Sequence, residues 1–323
     1  MSQYLSCFTE EEYKKAKYFL AYQVATMMGR KLEEGDWTSV YCKAKGIPES
    51  GWSNLKIDVN FQGLGVEHKL LSVPIKGSTI KTICGTTLMH PAATRSIRIS
   101  NLEALPNEVM FEVLEQYNEL INTRAKEVKD NYPDCTEPDI RIGWLLWERS
   151  LTEFLYFEEK LIPINPDDFY AEWNITPARG VRKSSKSLWV YDKITNKKKY
   201  SVTTSAGIKI QPYFDVPAPT NQNLYFFRVQ SEPIDADTFC LWVSSKTALS
   251  LKNIVGTIEK DTLSKAIDNI SLSVKEPSSN YESPEDLAIP IYVTKHAFEK
   301  LISTFEGVSD EHRVQQLIEY LTS

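Results

Sequence analysis

Lys56-Ile57-Asp58-Val59-Asn60-Phe61-Gln62-Gly63-Leu64-Gly65-Val66-Glu67-His68-Lys69-Leu70-Leu71 reads as two short strands around a Gly-containing turn. Side chains two apart on a strand share a face, so Glu67 and Lys69 are expected to project together, with His68 on the other side. Pairing of the two strands would bring Asp58 to them. The apolar lead-in Leu64-Gly65-Val66 and the trailing Leu70-Leu71 suit a buried second strand. Two carboxylates and an amine at one point are the minimum set for magnesium-assisted attack of water on a phosphodiester. Asp58 and Glu67 would be the metal ligands. Lys69 would position or help deprotonate the water, or stabilise charge in the transition state.

An acidic residue, a hairpin and then (D/E)-x-K resembles the PD-(D/E)xK nucleases, the fold of most type II restriction endonucleases. The match lies in the N-terminal third of the chain. No proline precedes Asp58, and its gap to Glu67 is short for the pattern. The resemblance implies an α/β (α+β) fold: a restriction-endonuclease-like mixed β-sheet core flanked by helices. It implies Mg²⁺ as cofactor, double-stranded DNA as substrate and a 5′-phosphate product. It also allows one further acid from a preceding helix, Glu33 or Glu34. Cutting both strands of a short site takes two active sites, so a homodimer is expected. A second stretch fits the formula: Asp139 after Pro138, then Glu158-Glu159-Lys160. Arg149 and Glu153 interrupt it and Leu161-Ile162-Pro163 follows at once, so these residues are expected to end a strand of the main sheet.

Before the hairpin, Thr9 and Glu12 form a capping box. Tyr13, Ala16, Leu20, Val24 and Met27 then recur at helical spacing through about Leu32. Glu33-Glu34-Gly35-Asp36 ends that segment, and a short helix from Thr38 to Lys45 leads to a Gly46-Ile47-Pro48 turn. Beyond the hairpin, residues 107–130 read as a long helix, and Ile140 to Phe157 as aromatic strands. From Pro163 onward short strand-like runs predict an antiparallel β-rich part. Lys275 to Asp286 reads as an exposed linker, and Lys295–Phe305 and Asp310–Leu321 as amphipathic helices, the second capped by Ser309. The expected organisation is a catalytic region (1–165), a β-rich DNA-recognition region (166–274), then linker and C-terminal helices (275–323). No internal repeat is evident.

Cations that could meet DNA fall in two groups. Lys81, His90, Thr94, Arg95 and Arg98 follow the hairpin; Arg and Lys donate to phosphate oxygens, and Arg also reads guanine edges. Arg179, Arg182, Lys183, Lys186, Lys197, Lys198 and Lys199 form the densest positive segment, interleaved with Trp189 and Tyr191. That mixture suits a DNA-facing hairpin; the alternative is a solvated hairpin tip with Trp189 in the core. Trp189, Tyr213, Phe214, Tyr225, Phe226, Phe227 and Trp242 could instead hold an extruded base, or simply be core.

The net charge of −6 does not favour a polyanion, but local distribution decides docking. The five cysteines are odd in number and scattered, against a disulfide framework or a zinc site. No apolar run could span a bilayer, the first residues lack signal-peptide features, and no phosphate-cradling loop is present. A cytoplasmic protein without membrane or nucleotide partners is expected. The function that gathers these readings is a site-specific type II endonuclease, with dependence on methylated DNA as a variant. The competing class is a non-catalytic DNA-binding or assembly protein.

Overall fold

The chain begins with β1 (Tyr4–Leu5), α1 (Glu10–Thr26) and α2 (Glu34–Lys45) in a computed structural model that describes residues 4–27, 30–48, 56–74, 77, 79–94, 97–181, 183–205, 207–270 and 287–322. Thr9 Oγ1 accepts from Glu12 N–H (3.2 Å), and the Glu12 carboxylate accepts from Thr9 N–H (2.7 Å). α1 stops at Thr26, short of the expected Leu32, and α2 starts at Glu34 rather than Thr38. Gly35 is tolerated because first-turn N–H groups have no intrahelical acceptor, while Asp36 accepts from Glu33 N–H (2.9 Å). Gly46, at φ 66°, ends α2.

The hairpin turn consists of Gln62 and Gly63, both at positive φ (48° and 82°). That is the two-residue geometry whose twist matches paired antiparallel strands. It joins β2 (Val59–Phe61) to β3 (Leu64–Ser72), with Val59 opposite Val66. The same register sets Asp58 across from Glu67. After β4 (Thr87–Met89), the long helix α3 (Pro106–Asn131) carries the chain to β5 (Asp139–Trp147), parallel to β3. β6 (Glu153–Lys160) returns antiparallel, and Glu158, Glu159 and Lys160 do close this strand. The first sheet runs β2-β3-β5-β6, with β1 and β11 (Tyr225–Arg228) sharing the far edge of β6.

Helices α1 and α2 cover one face, where Leu20, Val24, Trp37 and Tyr41 pack on Val66, Leu145, Phe154 and Tyr156. On the other face Val128 of α3 meets Ile57 and Ile140. Gly65 is required there: a Cβ would lie 2.7–2.9 Å from Val128, Ile140 and Ile57 side-chain atoms. Trp144 on this face stacks on Phe214 (3.9 Å between centroids, 11° between planes), which ties the first sheet to a second.

The second sheet is antiparallel: β4, β10 (Lys209–Asp215), β9 (Lys198–Thr203), β8 (Ser185–Asp192) and β7 (Phe169–Thr176). Val109, Val113 and Leu114 of α3 bury its inner face, formed by Ala171, Leu188, Val190, Val202 and Ile210. The third sheet, β12 (Glu232–Pro233), β13 (Thr238–Ser244) and β14 (Ala288–Thr294), packs with α4 (Ser245–Val255), α5 (Lys260–Asp268), α6 (Lys295–Thr304) and α7 (Asp310–Thr322). This part holds a repeat the sequence does not advertise. β13-α4-α5 and β14-α6-α7 share one order, the strands pair antiparallel about Leu241 and Ile291, and α4 packs on α7 as α5 packs on α6. Ser244 and Thr294 cap the first helix of each unit by accepting from Thr247 N–H and Ala297 N–H.

Seven α-helices and three sheets among the described residues make a mixed α+β structure. Boundaries at 165 and 274 do not follow the sheets. β4 joins the second sheet, β11 returns to the first, and β13 pairs with β14. The expected linker, Lys275 to Asp286, lies outside the described residues. Among the described residues no helix is long and apolar enough to cross a membrane.

Candidate active site

The strand β3 alternates as its sequence demands. His68 turns toward α2, where its Nδ1 is 2.8 Å from Thr38 Oγ1 and its ring meets Trp37, Tyr41 and Tyr156. Burial holds this imidazole neutral, its pKa pulled down to about 3. Glu67 and Lys69 turn the other way: Lys69 Nζ donates to Glu67 Oε1 at 3.0 Å and is only 8% exposed along its side chain. Asp58 lies just before β2, and its Oδ2 accepts from His68 N–H at 2.7 Å. This bond takes over where the β2–β3 ladder stops, and it fixes the carboxylate beside Glu67.

Glu34 joins the group from the first turn of α2, 3.5 Å from Lys69 Nζ. Glu33 does not; it is exposed, and its backbone serves the start of that helix. From α3, Arg124 Nε approaches Glu67 Oε2 at 3.8 Å, and the carboxylate of Glu127 accepts from Ile57 N–H at 3.4 Å. Arg124 and Glu127 carried no sequence signal, because a helix crossing between distant strands sets their placement.

Three acids share one buried lysine and one arginine. Burial would pull the Lys69 ammonium down, but the charges of Glu67, Glu34 and Asp58 hold its pKa above the ordinary lysine value. Burial raises the Glu34 carboxyl, with Lys69 opposing and Glu67 adding to the rise. The Asp58 carboxyl is pushed up to about 7, first by burial and then by the Glu67 charge, against Lys69 and the His68 N–H. Glu67 Oε2 is buried and accepts no hydrogen bond. Among the described residues no group of three or more His, Cys, Asp or Glu side chains is disposed as a ready ligand cage. Magnesium does not require one; it is bound through one or two carboxylates while keeping waters and phosphate oxygens. Glu67 Oε2, with no hydrogen bond and only the Arg124 guanidinium at 3.8 Å beside it, and the crowded Asp58 carboxyl opposite therefore fit a hard divalent cation.

The charge crowding has a measurable signature. Folded Asp58 binds its proton more tightly than unfolded Asp58, so it favours folding below the unfolded carboxylate range. That advantage is lost as pH rises through about 7. In EDTA the stability of the protein relative to an Asp58→Asn variant is expected to fall by a few kcal/mol, on the order of 1.4 kcal/mol per pH unit, over that range. Mg²⁺ should restore it above the upper limit. Urea titrations of both proteins at several pH values read this directly, and parallel curves would remove the coupling.

The alternative set is internally neutralised. Arg141 Nη1 donates to Glu158 Oε2 (2.9 Å), Arg141 Nε to Asp139 Oδ2 (2.9 Å) and Lys160 Nζ to Asp139 Oδ1 (2.5 Å). A cleft of about 1340 Å³ lies elsewhere, between the end of α1, the 149–152 turn and the starts of α4 and α7. Among the described residues the only carboxylate in its lining is that of Glu311, which accepts from Ser244 and Thr247. It offers no comparable chemistry.

The expected DNA contacts scatter. His90 is buried beside Trp144, with Nε2 3.2 Å from Leu70 O and Nδ1 accepting from Ala92 N–H, so it cannot meet a ligand at the surface. Thr94 bridges to Ile210. Lys81 lies over Phe226 (4.1 Å), and Arg98 is exposed. Arg95 and Arg182 lie outside the described residues. The dense basic segment is not one patch, because the intervening strand β8 separates its ends. Arg179 and Lys183 are exposed in the turn before β8, and Lys197, Lys198 and Lys199 lie after it. Lys186 is held by Trp173 and the Leu102 carbonyl. The aromatic residues divide too: Phe214, Tyr225, Phe227 and Trp242 are core, whereas Trp189 and Tyr213 are not.

The chain matches no protein-family model, no curated protein and no solved structure.

Proposed function

We propose that this protein is a Mg²⁺-dependent endonuclease that hydrolyses double-stranded DNA, of the site-specific type II kind that the PD-(D/E)xK pattern implies. One observation carries the reading: Asp58, Glu67 and Lys69, joined by Glu34, meet at one buried point on neighbouring β-segments. Asp58 and Glu67 would hold the ion, which when bound supplies charge neutralisation at the phosphate and lowers the pKa of water. Lys69 keeps its proton in this setting, so its part is to donate to the water or to a phosphate oxygen and offset developing negative charge. Glu34 holds Lys69 from the far side. The mixed sheet with helices on both faces is compatible with the restriction-endonuclease-like core, and a homodimer would supply the second active site.

Incubation of the purified protein with mixed-sequence plasmid DNA decides the matter. Discrete bands are expected with Mg²⁺ and none with EDTA. Intact plasmid under both conditions, with DNA still bound, would leave the non-catalytic DNA-binding reading in its place.

A further inference from the structure

The second sheet has an outer face that its core does not explain. Alternation along its strands sends Ala171, Leu188, Val190, Val202 and Ile210 inward to α3. The same alternation sends Tyr170, Trp189, Tyr191 and Tyr213 outward. None of these four rings belongs to any hydrophobic cluster of the described residues, although tyrosines and tryptophans elsewhere in the chain do. All four are part-exposed. Tyr170 and Tyr191 stack across the β7–β8 pair, with centroids 5.2 Å apart and planes at 16°. The four part-exposed rings thus share the outer face of this sheet.

Charge accompanies them. Lys198 Nζ lies 3.0 Å from the Trp189 ring centroid, 5.6 Å from that of Tyr213 and 5.9 Å from that of Tyr191. Among the described residues no carboxylate forms an ion pair with Lys198 or Lys199, while Lys197 has only a distant one with Asp215 (3.9 Å). Lys197, Lys198 and Lys199 line a depression of about 210 Å³ together with Thr87, Tyr213 and Asp215. The acids near this face are few: Glu172 opposite Trp189 in register, Asp192 at the end of β8, and Asp215, which already accepts from Thr87.

We infer that the outer face of the second sheet binds single-stranded DNA, with unpaired bases stacked on Trp189, Tyr191 and Tyr213 and the backbone held by Lys197, Lys198 and Lys199. Each part follows from the ligand's chemistry. A base offers two flat π-faces only when unpaired or unstacked; in a duplex those faces are covered, and an aromatic sheet has nothing to meet. Every base has such a face, so this surface reads strand state rather than sequence. Phosphates demand cations beside the rings rather than beneath them. Lys198 now covers Trp189; an entering base displaces it, and the ammonium moves to phosphate. Burial holds the Lys198 pKa below the ordinary lysine value. The inference stands on the sheet alone and does not need the hydrolytic chemistry of Asp58, Glu67 and Lys69.

Fluorescence anisotropy with a labelled oligo-dT strand and with a blunt duplex of equal length, both in EDTA, reads the binding without cleavage. The single strand is expected to bind at least about tenfold tighter than the duplex. Trp189→Ala should weaken single-strand binding about tenfold, and Trp189→Phe should retain most of it, since a ring remains to stack. Lys198→Ala should lower the slope of log affinity against log salt by about 0.7, the value for one phosphate contact on a single strand. Melting temperatures of the three variants should match the parent, because these side chains lie outside the core clusters. Duplex preference, equal loss in the Ala and Phe variants, or an unchanged salt slope would each overturn the inference. Loss of plasmid cleavage alone would not touch it.

Discussion

Glu67→Gln is expected to lower Mg²⁺-dependent cleavage by about 10²–10³-fold while leaving DNA affinity in EDTA within about twofold. The substitution keeps the shape of the side chain and removes one charge from a group of three acids. Glu67 Oε2 accepts no hydrogen bond, so it is the oxygen best placed to hold a cation, and an amide cannot replace it. Glu34 and Asp58 remain to pair with Lys69, so the buried ammonium is not stranded and the fold should persist. A second readout follows from the same crowding. The Glu67 charge is the largest cause of the raised Asp58 pKa after burial. In Glu67→Gln the Asp58 pKa should drop, and the pH-dependent loss of stability in EDTA should shrink with it. Parallel loss of cleavage and of that pH dependence marks a shared ion site. Full cleavage by the variant would place the chemistry elsewhere.

The hairpin was legible in the sequence because its information is local. Gln62-Gly63 can take the two positive φ values a two-residue turn needs, and a period-two strand then fixes which side chains face together. Glu34 was less so. Gly35 reads as a break, yet it falls in the first helical turn, and the Glu33-to-Asp36 spacing is a cap signal that outweighs it. The basic segment misled because proximity in sequence is not proximity in space: one strand of β8 carries Arg179 and Lys199 apart. His90 had no signal at all, since only the packing of Trp144 against the second sheet decides that its ring is buried. The repeated strand-helix-helix units also escaped detection, because their equivalence lies in pairing and caps more than in residue identity.

Arg141→Met should cost about 3–5 kcal/mol of stability, the range for breaking a buried ion pair from one side. Glu158 is fully buried, and its partners are Arg141 Nη1 at 2.9 Å and the Tyr156 hydroxyl at 2.7 Å. Without the guanidinium the carboxylate keeps one neutral donor. Urea titrations of the parent and the variant read the loss. Adding Glu158→Gln should recover most of the stability, because the stranded charge goes. Cleavage per folded molecule should stay unchanged. Arg141 lies beside Val66 in the parallel β3–β5 ladder, whereas Glu67 lies beside Ile142; alternation therefore puts Arg141 and Glu67 on opposite faces of the sheet. The two acid-and-lysine sets of this chain thus separate by consequence: one holds the sheet together through paired charges, and the other crowds three acids around one lysine and one arginine. A folded Arg141→Met protein that had lost cleavage would reverse that assignment.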